Sequence, residues 1–181
     1  MKSWSQFLIE RSGQTHKFSS VQYNLPADVA SEIIKWGKKH IPESEIYVDD
    51  EGGCGREDEI HVTVLYGIHS TDPKEVRSAL KGRKPFPIEL GKISAFKTPP
   101  DYDVVILEVK GDELIALNDK LKSKLAFTSK YDYSAHVTVA YVKKGKGAKY
   151  EGNKAFEGRR LTVDSVVFSS STGGKTPVPL G

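Results

Sequence analysis

The chain is nearly without sulfur, with one cysteine, Cys54, and one methionine in 181 residues. An internal disulfide is thereby excluded, and so is a structural zinc site built on several thiolates. A lone thiol fits a reducing compartment, so the protein is expected in the cytoplasm. Charge of one sign is also scarce: 27 Lys and Arg stand against 24 Asp and Glu, for a formal net charge of +3. Such an excess sets up no strong field for nucleic acid or a membrane surface. No apolar run approaches the roughly 18 residues a bilayer-spanning helix needs, and the opening MKSWSQFLIERSG holds no continuous apolar segment of signal-peptide length. No membrane partner is expected. What the chain does have is 38% hydrophobic and 28% charged residues, enough apolar surface to close a core and too much for wholesale disorder.

Residues 1–18 are polar and weakly patterned apart from Trp4, Phe7, Leu8 and Ile9, and read as a flexible lead-in or a targeting segment. A strand is expected over 19–25, ended by Pro26. Val29, Ile33, Ile34 and Trp36 recur at helical spacing over 28–40, with Pro42 beyond them. A short strand over 46–48 precedes the loop DDEGGCGRED. Its glycines match neither phosphate-binding fingerprint, and its acidic residues oppose a phosphate, so it reads as a solvated loop. Over 59–66 the alternation is that of a strand. Asp72 and Pro73 have the chemistry of a helix cap and first position, with a stop at Gly82. Strands over 86–96 and 104–109, with turn residues between them, form a hairpin. A helix is expected over 112–125 with lysines toward its end, then a strand over 135–142, a basic glycine-rich loop and a last strand over 161–169. The tail can add an edge segment. Helices alternate with strands, but hairpins interrupt the order, which indicates an α+β fold and not a doubly wound parallel sheet.

The sequence contains a repeat. Residues 61–66 read HVTVLY and residues 136–141 read HVTVAY, identical at five of six positions and 75 residues apart. In a strand, positions i and i+2 share a face, so His61 with Thr63, and His136 with Thr138, each present an imidazole and a hydroxyl together, while the valines turn to a core. A single His-x-Thr is ordinarily structural. Two copies with near-identical flanks point to chemistry: one imidazole accepts a nucleophile's proton, the other protonates the leaving oxygen, and the hydroxyls donate to nonbridging phosphate oxygens. Such a device needs no metal or cofactor, and neither copy has a third histidine or carboxylate at matching spacing to complete a metal site.

The paired motifs resemble those of the 2H phosphoesterase superfamily, which includes bacterial 2′-5′ RNA ligase-like proteins, 2′,3′-cyclic nucleotide phosphodiesterases and phage anti-CBASS nucleases. The resemblance extends over roughly residues 19 to 170 in element order, though only the two motifs are specific. Val64 and Val139 stand where the family often has leucine, a conservative change. The resemblance implies a bilobed α+β fold, residues 19–181, with two pseudo-symmetric antiparallel lobes, helices outside, and one His-x-Thr from each lobe at a central groove. It also implies metal-free cleavage of a phosphodiester next to a ribose hydroxyl, in a nucleotide or RNA-like substrate. Candidate substrates are 2′,3′-cyclic phosphates, 2′-5′ linked ends and cyclic oligonucleotide messengers; RNA end ligation and non-catalytic nucleotide sequestration are the alternatives. MKSWSQFLIE further resembles the leaders, ending in Glu, that target internal proteins to the heads of some tailed phages; that origin places the protein in the host cytoplasm.

Beyond the His-x-Thr pairs, Tyr66 and Tyr141 end the two copies, and Tyr23, Phe96, Tyr102, Tyr131 and Tyr133 are further aromatic candidates for stacking on a base. Lys143, Lys144, Lys146 and Lys149 are candidates for additional phosphates, with a solvated loop as their plain reading. His69 is given no role, and Cys54 lies among acidic residues that disfavour its thiolate. Oligomeric state is not legible.

Overall fold

The computed structural model describes residues 17–50, 52–129 and 132–181; the leader-like segment lies outside them, as does Tyr131. Eight strands form one sheet in the order β6-β3-β4-β5-β2-β1-β7-β8, curled into a half-barrel. The strands are β1 (Ser19–Asn24), β2 (His61–Ile68), β3 (Phe86–Phe96), β4 (Tyr102–Lys110), β5 (His136–Lys143), β6 (Arg160–Val163), β7 (Ser165–Ser169) and β8 (Lys175–Pro179). The helices are α1 (Ala27–His40), α2 (Pro73–Leu80) and α3 (Asp112–Lys124).

Two copies of one unit lie at the centre. β1–α1–β2 and β4–α3–β5 are each a strand, a helix and a second strand that returns antiparallel beside the first. β7 and β8 extend the first unit, and β3 and β6 the second. The two lobes are thus halves of one continuous sheet, joined where Val62 of β2 pairs with Val137 of β5. The helix of each unit packs across the join, α1 against β5 and α3 against β2. Val62, Val64, Val137 and Val139 lie with Leu114, Leu117 and Leu121 of α3 in the main core. Each leucine, fully buried, stabilises the fold by roughly 1.5–3 kcal/mol.

Local chemistry accounts for the element ends. The Asp72 carboxylate accepts the Lys74 N–H at 2.9 Å and Pro73 occupies the first helical position of α2, as the cap reading expects. Three expectations shift in detail. Residues 46–48 form no strand; Ile46 makes only an isolated bridge to Val142. The strand expected over 161–169 breaks at Asp164, so that β6 joins the second half of the sheet and β7 the first. The basic loop after β5 contains a short 3-10 turn, Gly147–Tyr150.

Candidate functional site

The two motifs meet at the join of the sheet. With Val62 opposite Val137 and the strands antiparallel, His61 stands across from Thr138, and His136 across from Thr63. Directly paired side chains share a face at Cβ separations of about 4.5–5.5 Å. The two imidazoles and two hydroxyls therefore occupy one patch on the face away from the helices, while the intervening valines complete the core beneath it.

Both strands bulge at the same place. The β1–β2 register skips Val64 and the β4–β5 register skips Val139, the fourth residue of each motif. A bulge leaves its residue outside the ladder and needs other partners for its backbone. The Val64 carbonyl accepts the Asn118 side-chain N–H from α3 at 2.7 Å, and the Val139 carbonyl accepts the main-chain N–H of Glu57 at 3.0 Å. Each bulge also shifts the alternation by one. Tyr66 pairs with Ser20, on the face of Gln22 and hence of Thr63, and Tyr141 pairs with Val104, on the face of Ile106 and hence of Thr138. A regular strand puts Leu65 and Ala140 there instead.

Past the join β2 and β5 part, and each gap is filled by the segment preceding the other motif. Residues 46–47 and 55–57 line β5, with Tyr47 N–H to Tyr141 carbonyl at 3.0 Å and Tyr141 N–H to Gly55 carbonyl at 2.8 Å. Residues 126–128 line β2, with Thr128 N–H to Gly67 carbonyl at 2.9 Å. Gly67 is required there: its φ is +93° and a Cβ on it would collide with the Thr128 carbonyl.

Each imidazole is anchored two residues back along its own chain. His61 Nδ1 lies 2.6 Å from the Glu59 carbonyl and His136 Nδ1 lies 2.7 Å from the Ser134 carbonyl. A carbonyl only accepts, so Nδ1 carries the donated proton in both rings. Nε2 is then the nitrogen at which the charge state changes. This common tautomer suits a pair of groups that pass protons in opposite directions.

The surroundings of the two histidines differ. Asn24 of β1 stands across from His61 and Gln22 across from Thr63. Gln22 donates to Asn24 at 2.7 Å and to the Glu59 carboxylate at 3.3 Å, and Lys175 of β8 pairs with the same carboxylate. Across from His136 is Glu108 of β4, and Ile106 faces Thr138. Phe96 meets the His136 ring edge to face at 4.8 Å. A second apolar cluster, Cys54, Tyr102, Val104, Ile106 and Tyr141 with Tyr47 and Phe96 against it, covers that half.

Not every aromatic candidate faces this patch. Tyr23 pairs with Val62, is 4% exposed, and donates its hydroxyl to the Thr162 carbonyl at 3.1 Å. It belongs to the core, because β1 alternates strictly and 23 falls on the valine side; its candidacy as a stacking residue is corrected. Tyr133 also packs against the main core. Tyr66 is half-buried beside Phe18, and Tyr141 is buried against Tyr102. Lys144 and Lys149 pair with Asp103 and Glu45. The residues that sequence reasoning missed are Gln22, Asn24, Glu57, Glu59, Glu108 and Lys175. The polar alternation Ser20, Gln22, Asn24 against Val21, Tyr23, Leu25 was a usable signal for the first two; the others depend on long-range register. Among the described residues no group of three or more His, Cys, Asp or Glu side chains is placed to hold a metal ion, and no helix is long and apolar enough to cross a membrane.

A half-barrel sheet with a His-x-Thr from each half at its seam defines a two-histidine phosphoesterase type of fold. The chain belongs to the 2′-5′ RNA ligase superfamily, whose family model matches residues 51–175. This membership supports a phosphodiester-processing function. Among solved structures, LigT of E. coli in apo form is 19% identical, with 91% of this chain and 94% of that chain covered and a TM-score of 0.61. TT0787 of Thermus thermophilus is 12% identical, with 91% and 95% covered and a TM-score of 0.61. Usb1 of Kluyveromyces marxianus is 8% identical, with 93% and 99% covered and a TM-score of 0.57. LigT has also been crystallised with 3′-AMP and with ATP. No curated protein matches the sequence.

Proposed function

We propose that residues 19–181 act as a metal-independent phosphodiesterase on nucleotide or RNA-like substrates in which the scissile phosphate adjoins a ribose hydroxyl, with His61, Thr63, His136 and Thr138 as the catalytic residues. The observation that carries this reading is the antiparallel pairing of Val62 with Val137, which sets each imidazole across from the other motif's threonine. On a 2′,3′-cyclic phosphate, water attacks phosphorus as one histidine Nε2 takes its proton. The bond from phosphorus to one ribose oxygen breaks, and the other histidine protonates that oxygen, giving a 2′- or 3′-monoester. The threonine hydroxyls donate to the nonbridging oxygens, where negative charge grows. Crystals of LigT with 3′-AMP favour a nucleotide as the ligand class.

The test is chromatography of 2′,3′-cyclic nucleotides, 2′-5′ oligoadenylates and cyclic dinucleotides after incubation with the protein in EDTA. Cleavage of at least one class, lost in His61→Ala, is the expected result. Binding without turnover across the panel would leave a sequestering module. Joining of a 2′,3′-cyclic phosphate end to a 5′-hydroxyl end, the reverse of transesterifying a 2′-5′ linkage and the reaction for which the family is named, would identify a ligase.

A further inference from the structure

One buried carboxyl links the two motif strands. Glu57 is 9% exposed and lies in the segment that fills the gap beside β5. Its main-chain N–H caps the bulged Val139 carbonyl of β5 at 3.0 Å. Its carboxylate Oε1 accepts the N–H groups of Asp58 and Glu59, both at 3.2 Å. The carbonyl of that same Glu59 holds His61 Nδ1 at 2.6 Å. A continuous chain of contacts therefore runs from the bulge after Thr138, through Glu57, to the ring of His61.

We propose that Glu57 is a positioning residue for His61, orienting the imidazole through the Glu59 turn and acting on its charge electrostatically, so that ionisation of one depends on the other. The proposal rests on His61 being a proton-transfer group. Burial raises the Glu57 carboxyl to about 7 even though the His61 imidazole draws it down. That attraction is mutual, so an ionised Glu57 favours the imidazolium of His61. The other charged groups around Glu57 do not substitute for His61. The Asp58 charge opposes ionisation, while its main-chain N–H favours it. Arg56 turns its guanidinium to the Gly37 and Ile41 carbonyls and to Glu43. Lys38 of α1 lines the pocket of about 90 Å³ that Glu57, Asp58, Arg56 and Val139 also border. Before the other motif, Asp132 stands two residues ahead of Ser134 as Glu57 does ahead of Glu59, but it is exposed, and the Val64 bulge of β2 is capped by the neutral amide of Asn118. Glu108, across from His136, instead leans over Gly91 of β3, its Oε2 3.3 Å from where a Cβ on that glycine would stand, and it is half-buried.

The test is an NMR titration of both histidine rings in the wild type and in Glu57→Gln, which keeps the acceptor for the two turn N–H groups. The midpoint of His61 is expected to fall by about one pH unit, the size of shift a nearby opposite charge produces, while that of His136 stays in place. One limb of the pH–kcat profile should move to lower pH with KM nearly unchanged, the high-pH limb if His61 is the acid and the low-pH limb if it is the base. Glu57→Asp should restore part of the His61 midpoint. An unmoved His61 midpoint in Glu57→Gln, or equal movement of both rings, overturns the proposal. Should Glu57→Gln not fold, the wild-type carboxyl resonance decides: a step for Glu57 near neutral pH mirrored in His61 is expected, and its absence overturns the coupling. These ring titrations are independent of turnover. A shifted His61 in a protein that cleaves nothing on the panel would reject the function and keep the pairing.

Discussion

β2 and β5 carry the same residues at five of six positions and bulge at the same one, yet they face different company. Around His61 the neighbouring side chains are Asn24, Gln22, Glu59 and Lys175, a hydrogen-bonded polar network. Around His136 they include Phe96 and Ile106, and the rest of that half is the cluster of Val104, Tyr102 and Tyr141 under Tyr47 and Cys54. The repeat fixes where the two His-Thr pairs stand, and the flanking strands, which share no repeat, fix what each pair feels. A pair of histidines passing protons in opposite directions benefits from this inequality, since one must be charged while the other is neutral.

The largest effects should come from the reacting groups. His61→Ala and His136→Ala are each expected to lose about 10²- to 10⁴-fold in kcat, the usual worth of a general acid or base, with folding unchanged by circular dichroism. Comparable losses in both show that the two halves contribute one proton transfer each. Wild-type rates in either variant would break the comparison, leaving one histidine without a role. Wild-type activity should persist in EDTA and follow a bell-shaped pH profile, whereas inactivation by chelator reversed by a divalent ion would reject metal-free chemistry. Thr63→Val and Thr138→Val come next, at roughly 10- to 1000-fold, since each removes one phosphate donor and keeps the side-chain shape. If neither hydroxyl matters to the rate, the phosphate is held by other groups.

The seam was legible in the sequence because a strand's period of two and an exact repeat are local properties. His61, Thr63, His136 and Thr138 could be put on one strand face each from spacing alone. The helices were legible for the same reason: Asp72 and Pro73 mark a start, and Leu114, Leu117 and Leu121 a buried stripe. What local pattern could not show was the bulges. Val64 and Val139 look like ordinary core valines, and only the registers against β1 and β4 reveal that each is an extra residue that turns Tyr66 and Tyr141 toward the site. Tyr23 was offered as a stacking residue for its aromatic ring alone, which says nothing about the sheet face the side chain takes; it pairs with Val62 on the core side. Glu57 was hidden for a related reason, since its loop reads as solvated by composition and is instead laid into the sheet beside β5.

Stability against pH separates the halves more finely. The folded value of Glu57, about 7 against an ordinary 4.5, is raised, so its contribution is fully present below pH 4.5 and is lost as pH rises through 7. At 1.36 kcal/mol per unit, that difference corresponds to about 3 kcal/mol of stability lost across the window. Urea unfolding of wild type and Glu57→Gln at pH 4.5 and pH 8 should show the variant gaining on the wild type by an amount of this order at the higher pH. A constant gap between the two proteins would mean that Glu57 ionises as freely in the fold as out of it.

The smallest expected effect isolates the bulge of the first half. Asn118 is 2% exposed, and its amide donates to the Val64 carbonyl, which has left the β1 ladder. In Asn118→Leu that carbonyl stays buried and loses its donor, a cost of about 1–3 kcal/mol, while the leucine keeps the helical propensity of α3. The corresponding carbonyl of Val139 takes a main-chain N–H from Glu57, which a side-chain change does not remove. Hydrogen exchange in the variant should therefore quicken at the amides of β2 around Thr63 to Tyr66, with those of β5 around Thr138 to Tyr141 quickened only as far as the global loss of stability requires. Faster exchange confined to β2, together with a modest fall in kcat as Thr63 loses its fixed position, would show that each half keeps its own bulge in place. Equal exchange in both strands at unchanged stability would mean that the sheet holds the bulge without Asn118, and that the difference in capping between the halves has no mechanical consequence.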